Sequence, residues 1–207
     1  LYLTGKTISA NFPTSSSAYA KTCPSGLDPS DANACTNHEA FVAKFSPDLS
    51  QVVYSTYYGG TYKDYALGIG VDSNGLAYIT GWTEGDDLPR VQQIMEFSQG
   101  VCYTYTNYPR FCIDSFVAQF GGAGSLEFST FLGGNNDDFA NDIFVSSNGS
   151  TYVVGNTLST NYPTTPGSIQ ATIPGPGKQG FVTKIGSSSN PPPLEENARI
   201  YLPFLIR

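Results

Sequence analysis

One short set of motifs is written three times along this chain. Phe41-Val-Ala-Lys-Phe45 returns as Phe116-Val-Ala-Gln-Phe120 and again as Phe181-Val-Thr-Lys-Ile185. Ser55-Thr-Tyr-Tyr-Gly-Gly60 returns as Ser129-Thr-Phe-Leu-Gly-Gly134, and Tyr2-Leu-Thr-Gly5 as Tyr78-Ile-Thr-Gly81 and Tyr152-Val-Val-Gly155. Motifs that recur in a fixed order mean one structural unit used several times, each copy burying a face against the next. A solitary active site is a poor fit to such a plan.

The unit reads as four short antiparallel strands. Phe41–Phe45 alternates, Ser46–Ser50 turns, and Gln51–Tyr57 is a second strand closed by Gly59-Gly60. Tyr65–Val71 is a third strand, Asp72-Ser-Asn-Gly75 a hairpin turn, and Leu76–Thr83 the fourth. The next copy repeats this order as Phe116–Phe120, Leu126–Leu132, Ala140–Val145 and Thr151–Thr157. Four-stranded units marked by Gly and aromatic residues are the pattern of propeller blades. Composition agrees: charged residues are 13%, against roughly 25% in ordinary domains, while Gly, Pro, Tyr and Phe are abundant. The expected fold is all-β, with two full blades at approximately 41–83 and 116–157. A partial or composite third blade is expected from 1–7 and 181–186, giving a repeat domain over 1–186. A helix of about two turns is the alternative to a loop over Val91–Ser98.

The four cysteines lie in polar insertions, each just before a Phe-Val-Ala motif. Their equivalent placing favours the pairs Cys23–Cys35 and Cys102–Cys112 among the three connectivities possible. Closing loops this short is worth roughly 3 kcal/mol each. Zinc is disfavoured, because neither pair has CxxC spacing and His38 is the single histidine. Disulfides imply an oxidising, extracellular or cell-surface setting. The chain opens directly on a strand and reads as a mature or trimmed product. It has no apolar run of about 18 residues, so no membrane span is expected.

Residues 187–197 form a Ser/Pro linker. Beyond it, 198–207 is an apolar strand, with Ile200, Tyr201, Leu202, Phe204, Leu205 and Ile206 as the candidate assembly residues and Pro203 fitting an edge position.

With these motifs in view, the chain resembles the SBBP family, the β-propeller repeats of bacterial secreted and surface proteins. The resemblance rests on Phe41–Pro47, Tyr54–Gly60, Asp64-Tyr65, Gly68–Asp72, Asn74-Gly75 and Ala77–Gly81, on the same pattern through Phe116–Gly155, and on Asn161–Gly167. It implies a propeller and an extracellular setting, and no particular reaction. The cysteine insertions depart from the plain repeat. The tail Ile200–Arg207 also looks like a short C-terminal motif of many secreted bacterial proteins.

Chemistry is sparse. A triad would have to be built on His38, whose best neighbours, Asn37 and Glu39, are merely adjacent in sequence. The acid pairs Asp86-Asp87 and Asp137-Asp138, with Asp142, would serve a glycosidase only if they faced one cleft. Calcium is the one ion these acids suggest, but Thr61–Asp64, the counterpart of Asn135–Asp138, holds a single acid. No catalytic residue, metal or cofactor is therefore expected. Trp82 would stack on a sugar, yet its counterparts are Lys6 and Asn156, which favours packing. Asn148-Gly-Ser150 fits a glycosylation acceptor and also a hairpin turn. A net charge of −7 without a basic run argues against nucleic acid.

Two full blades and two loose ends do not close a propeller alone, and an open edge invites another strand. A fragment of a longer propeller, a third blade built from both termini, and completion by neighbouring subunits all remain open. The favoured expectation is a composite third blade in a secreted, non-enzymatic structural homo-oligomer or polymer. A carbohydrate-binding propeller is the alternative.

Overall fold

In the computed structural model, described residues are 1–96, 101–103, 109–147, 149–164, 168, 170, 177–186 and 200–201. They form β1 (Tyr2–Ser9), β2 (Leu27–Asp28), β3 (Asp31–Phe45), β4 (Val52–Tyr58), β5 (Asp64–Val71), β6 (Ala77–Thr83), β7 (Val101–Tyr103) and β8 (Pro109–Phe111). There follow β9 (Asp114–Phe120), β10 (Leu126–Leu132), β11 (Asp138–Val145), β12 (Thr151–Thr157), β13 (Gln179–Ile185) and β14 (Ile200–Tyr201). The fold is all-β, and all strand pairs are antiparallel.

Three sheets make the body. The first is β1-β3-β4, with β2 on the extension of β3; the second runs β5-β6-β9-β10; the third runs β11-β12-β13-β14. The expected blades at 41–83 and 116–157 are corrected by this order. The second sheet takes its inner two strands, β5 and β6, from one copy of the unit and its outer two, β9 and β10, from the next; β1 with β3-β4 and β11-β12 with β13 join successive copies in the same way. A cyclic repeat has no intrinsic starting point. Its frame is set by the connection that leaves a sheet, here the Gly59-Gly60 and Gly133-Gly134 segments between second and third strands. The partial blade from 1–7 and 181–186 is corrected as well. β1 pairs with β3, Tyr2 opposite Lys44, whereas β13 pairs with β12.

The turns follow the sequence reading. Asp72 Oδ1 accepts from Asn74 N and Leu76 N, and Gly75 N closes on Asp72 O. Val91–Ser98 is not helical where described. Val91 bridges Ser129, and Thr130 Oγ1 accepts from Ile94 N and Met95 N, which holds this bent segment against β10.

Alternation along the strands builds two inter-sheet cores. Tyr2, Ala40, Val42, Tyr54 and Tyr58 of the first sheet pack on Ala66, Ala77, Ile79, Phe116, Ala118 and Phe120 of the second. The opposite face of the second sheet, Tyr78, Val117, Leu132 and Phe128, packs on Ala140, Ile143, Val145, Val153 and Phe181 of the third. Each buried Val, Ile or Phe contributes roughly 1.5–3 kcal/mol. The third-type strands β5 and β11 lie at the inner edge, where they meet each other and the neighbouring sheets; β4, β10 and β14 lie at the outer edge.

Both expected disulfides form, Cys23–Cys35 and Cys102–Cys112. The first insertion buries its bridge with Tyr57 beside Ala10, Phe12 and Ala20. Ile200 and Tyr201 form β14, opposite Ile185 and Lys184. Leu202, Phe204, Leu205 and Ile206, the linker 187–197 and Asn148 lie outside the described residues.

Candidate functional site

The insertions, the starts of the inner strands and the ends of the fourth strands meet at one end of the molecule. The chemistry-bearing side chains collect there.

Two carboxyls lie buried beneath each Gly-Gly. Glu39, from β3, takes hydrogen bonds from Ser25 N at 2.9 Å and from the Ser25 hydroxyl through Oε1. Its Oε2 has no hydrogen-bond partner among the described residues. Asp64, at the head of β5, accepts from Gly60 N at 2.8 Å. Gly59 separates the two: a Cβ there would stand 2.5 Å from Asp64 Oδ2 and 2.6 Å from Glu39 Oε2. The next copy repeats the arrangement with Asp114 and Asp138. A Cβ on Gly133 would lie 2.5 Å from Asp114 Oδ1 and 3.0 Å from Asp138 Oδ2. Gly134 N and Ser159 Oγ donate to Asp138 at 2.7 Å each.

Burial dominates the acidity of these groups. It raises the Asp64 carboxyl to about 8, against the pull of the Thr83 hydroxyl and the Gly60 N–H. It raises Asp138 to about 6 in the same way, against Thr157, Ser159 and Gly134 N–H. Glu39 is also pushed up by burial. Asp64 thus holds a proton at neutral pH.

The pairing of these acids was missed by sequence reasoning, which set Glu39, Asp64 and Asp138 beside their neighbours along the chain and did not single out Asp114. The recurring pair joins the start of a first strand to the start of a third strand. The legible signal was an acid two residues before Phe41 and Phe116, and another directly before Tyr65 and Phe139.

The acid doublets do not converge on one cleft. Asp138 is buried, while Asp137 pairs with Arg110 in a fork, Nη1 to Oδ1 at 2.9 Å and Nη2 to Oδ2 at 2.6 Å. That pair ties the β7–β8 insertion to the third sheet, helped by Ile113 N on Asp137 Oδ1 at 2.9 Å. Asp87 accepts from Thr61 N at 2.8 Å. Asp142 is exposed farther along β11.

His38 does not meet Glu39. It stacks on Tyr65 with ring centres 5.1 Å apart, and burial with Lys6 and Lys63 nearby lowers its pKa. Tyr65 carries Lys6 Nζ 4.0 Å from its ring centre and stacks on Trp82 at 4.0 Å. Trp82 meets Phe139 edge-on at 5.8 Å, and Lys178 Nζ lies 5.7 Å from the Phe139 ring centre. One aromatic–cation row therefore crosses all three sheets, with a face of Trp82 spent on Tyr65.

Beside the row, Tyr62, Glu84, Val101, Pro109, Arg110 and Phe111 line a cleft of about 530 Å³. Tyr62 and Phe111 meet edge-to-face at 5.8 Å. Among the described residues, the three metal-ligating side chains that come closest together are Cys102, Cys112 and Asp137. Both sulfurs are spent in the disulfide, so this group is a poor cation site.

No curated protein matches the chain. The family comparison meets the internal repeat at one copy, from β4 through β6 to the segment holding Leu88: residues 53–89 match the SBBP beta-propeller repeat.

Proposed function

We propose that this protein is a secreted, non-enzymatic structural subunit of an extracellular or cell-surface assembly, built from propeller blades and joined through strands. The observation that carries the reading is β14. The outer strand of the third sheet comes from the chain's tail, with Tyr201 opposite Lys184 and Ile200 opposite Ile185 among the described residues. It sits in the register that β10 takes on β9, where Gln119 faces Phe128. An edge strand supplied by the chain's tail beyond a Ser/Pro-rich stretch is the kind of element that copies of a chain can exchange. The two disulfides are compatible with an oxidising compartment. Among the described residues, no helix is long and apolar enough to cross a membrane.

Negative-stain microscopy and light scattering of the purified chain test this. Assembled particles that disperse when 198–207 are deleted would support it; dispersed single chains at high concentration would remove it.

The cleft favours a second reading, a glycan-binding propeller. Tyr62 and Phe111 offer apolar ring surface beside the polar Glu84 and Arg110. A glycan array that responds to the intact chain and not to Tyr62→Ala would support it, and a blank array would exclude it.

A further inference from the structure

The two Gly-Gly sites are built alike and finished differently. In each, an acid two residues before the Phe-Val-Ala motif meets an acid at the head of a third-type strand, Glu39 with Asp64 and Asp114 with Asp138. A threonine hydroxyl, Thr83 or Thr157, pulls on the third-strand acid in both. The copies part at two later positions. Ser159, whose hydroxyl donates to Asp138 at 2.7 Å, has Gly85 as its counterpart. Asn161, whose neutral amide oxygen accepts from Asn135 N at 2.7 Å, has Asp87, which accepts from Thr61 N at 2.8 Å. The second site thus supplies Asp138 with a hydroxyl donor of its own. The first lacks that donor and carries a third acid.

Along the chain, Thr61–Asp64 holds a single acid; the fold brings Glu39 and Asp87 to it. Glu39 and Asp64 are each 0% exposed. Asp87 is exposed, yet a Cβ on Gly60 would stand 2.2 Å from its Oδ1, so it marks the solvent side of the same site. Among the described residues, no lysine or arginine forms an ion pair with any of the three.

Ser25 satisfies Glu39 Oε1, but the buried Oε2 has no hydrogen-bond partner among the described residues. That atom and Asp64 Oδ2 flank one point beside Gly59, at 2.6 and 2.5 Å. A single calcium ion, with its oxygens at roughly 2.3–2.6 Å, can bridge two atoms so placed. Carboxylates fixed by separate strands suit its tolerant geometry better than the strict octahedron of magnesium. Without a cation, burial raises the Asp64 carboxyl to about 8, with Glu39 and Asp87 adding as like charges. Bound metal takes the place of that proton.

We propose that the Gly59-Gly60 site binds one calcium ion through Glu39 Oε2 and Asp64 Oδ2, with Asp87 drawing the ion in from solvent, and that the Gly133-Gly134 site, completed by Ser159, does not. So few charged ligands place the affinity in the weak range of extracellular modules, roughly 10⁻⁴–10⁻³ M.

The test starts from the 207-residue chain freed of metal by a chelator. It is melted at mildly alkaline pH with calcium chloride, and with magnesium or sodium chloride at equal ionic strength. Calcium about tenfold above its dissociation constant is expected to raise the melting temperature by about 3–6 °C, and calorimetric titration to count one ion per chain. Asp64→Asn and Glu39→Gln should lose this response, and Asp138→Asn should keep it. Asp87→Asn, an exposed change that leaves the fold intact, should weaken calcium binding several-fold even if the buried variants fail to fold. An intact chain indifferent to calcium, or one that responds equally to all three salts, would overturn the proposal. So would a response that survives Asp64→Asn, one that is lost instead with Asp138→Asn, or an affinity unchanged by Asp87→Asn.

Discussion

Arg110 and Asp137 meet side by side, two N–H groups on two carboxylate oxygens at 2.9 and 2.6 Å. Asp137 is the more sheltered partner and also takes Ile113 N. Arg110→Ala leaves that carboxylate without its cation. The expected loss is about 1–2 kcal/mol, the scale of a charged hydrogen bond in a partly screened place. Urea unfolding measures it, and high salt should shrink the difference.

Acid should stabilise this protein where it unfolds many others. The folded-state pKa of Asp64 is raised by burial to about 8, and that of Asp138 to about 6, from 3.8. A raised carboxyl favours the fold while it keeps its proton. That contribution is complete below about pH 3.8, fades through 6 and is gone above 8. Melting temperatures from pH 4 to 9 are expected to fall across this window. Asp64→Asn, which stays neutral, should flatten the upper part of the fall; an unchanged profile would mean that Asp64 is ionised throughout.

Gly59→Ala is expected to cost about 1–3 kcal/mol, because its methyl must displace two buried carboxyls. Gly122→Ala is the control, since a Cβ there meets nothing within 4 Å. Thermal unfolding of the pair separates crowding from a general loss of glycine.

Replacing Cys23 and Cys35 together by Ser should cost roughly 3 kcal/mol and loosen the cover over Tyr57, whose hydroxyl holds Ser9 O at 2.5 Å. Unfolding with and without reductant checks this: reductant should weaken the natural chain more than the variant.

The parts of this fold that depend on neighbours in sequence were legible. The turn at Asp72–Gly75, the alternation of Phe41–Phe45 and the two cysteine pairs each rest on local geometry and equivalent placing. Blade boundaries were not legible, because strand order in a cyclic repeat is the same wherever counting starts. Whether β6 pairs with β5 alone or with β9 as well is decided by packing across sheets. The Glu39–Asp64 and Asp114–Asp138 couples were hidden for a related reason. Their members are 25 and 24 positions apart and meet only when the chain passes from one sheet to the next. His38 illustrates the opposite error, since adjacency to Glu39 suggests a partner that strand alternation places on the other face.

The splitting of every unit between two sheets bears on how such chains change over generations. A duplicated or deleted repeat adds or removes the outer half of one blade and the inner half of the next. The cut ends then rejoin as a whole sheet, with both old contact surfaces intact. Blade number is thus a quantity that recombination can alter in single steps, with no need to redesign any face.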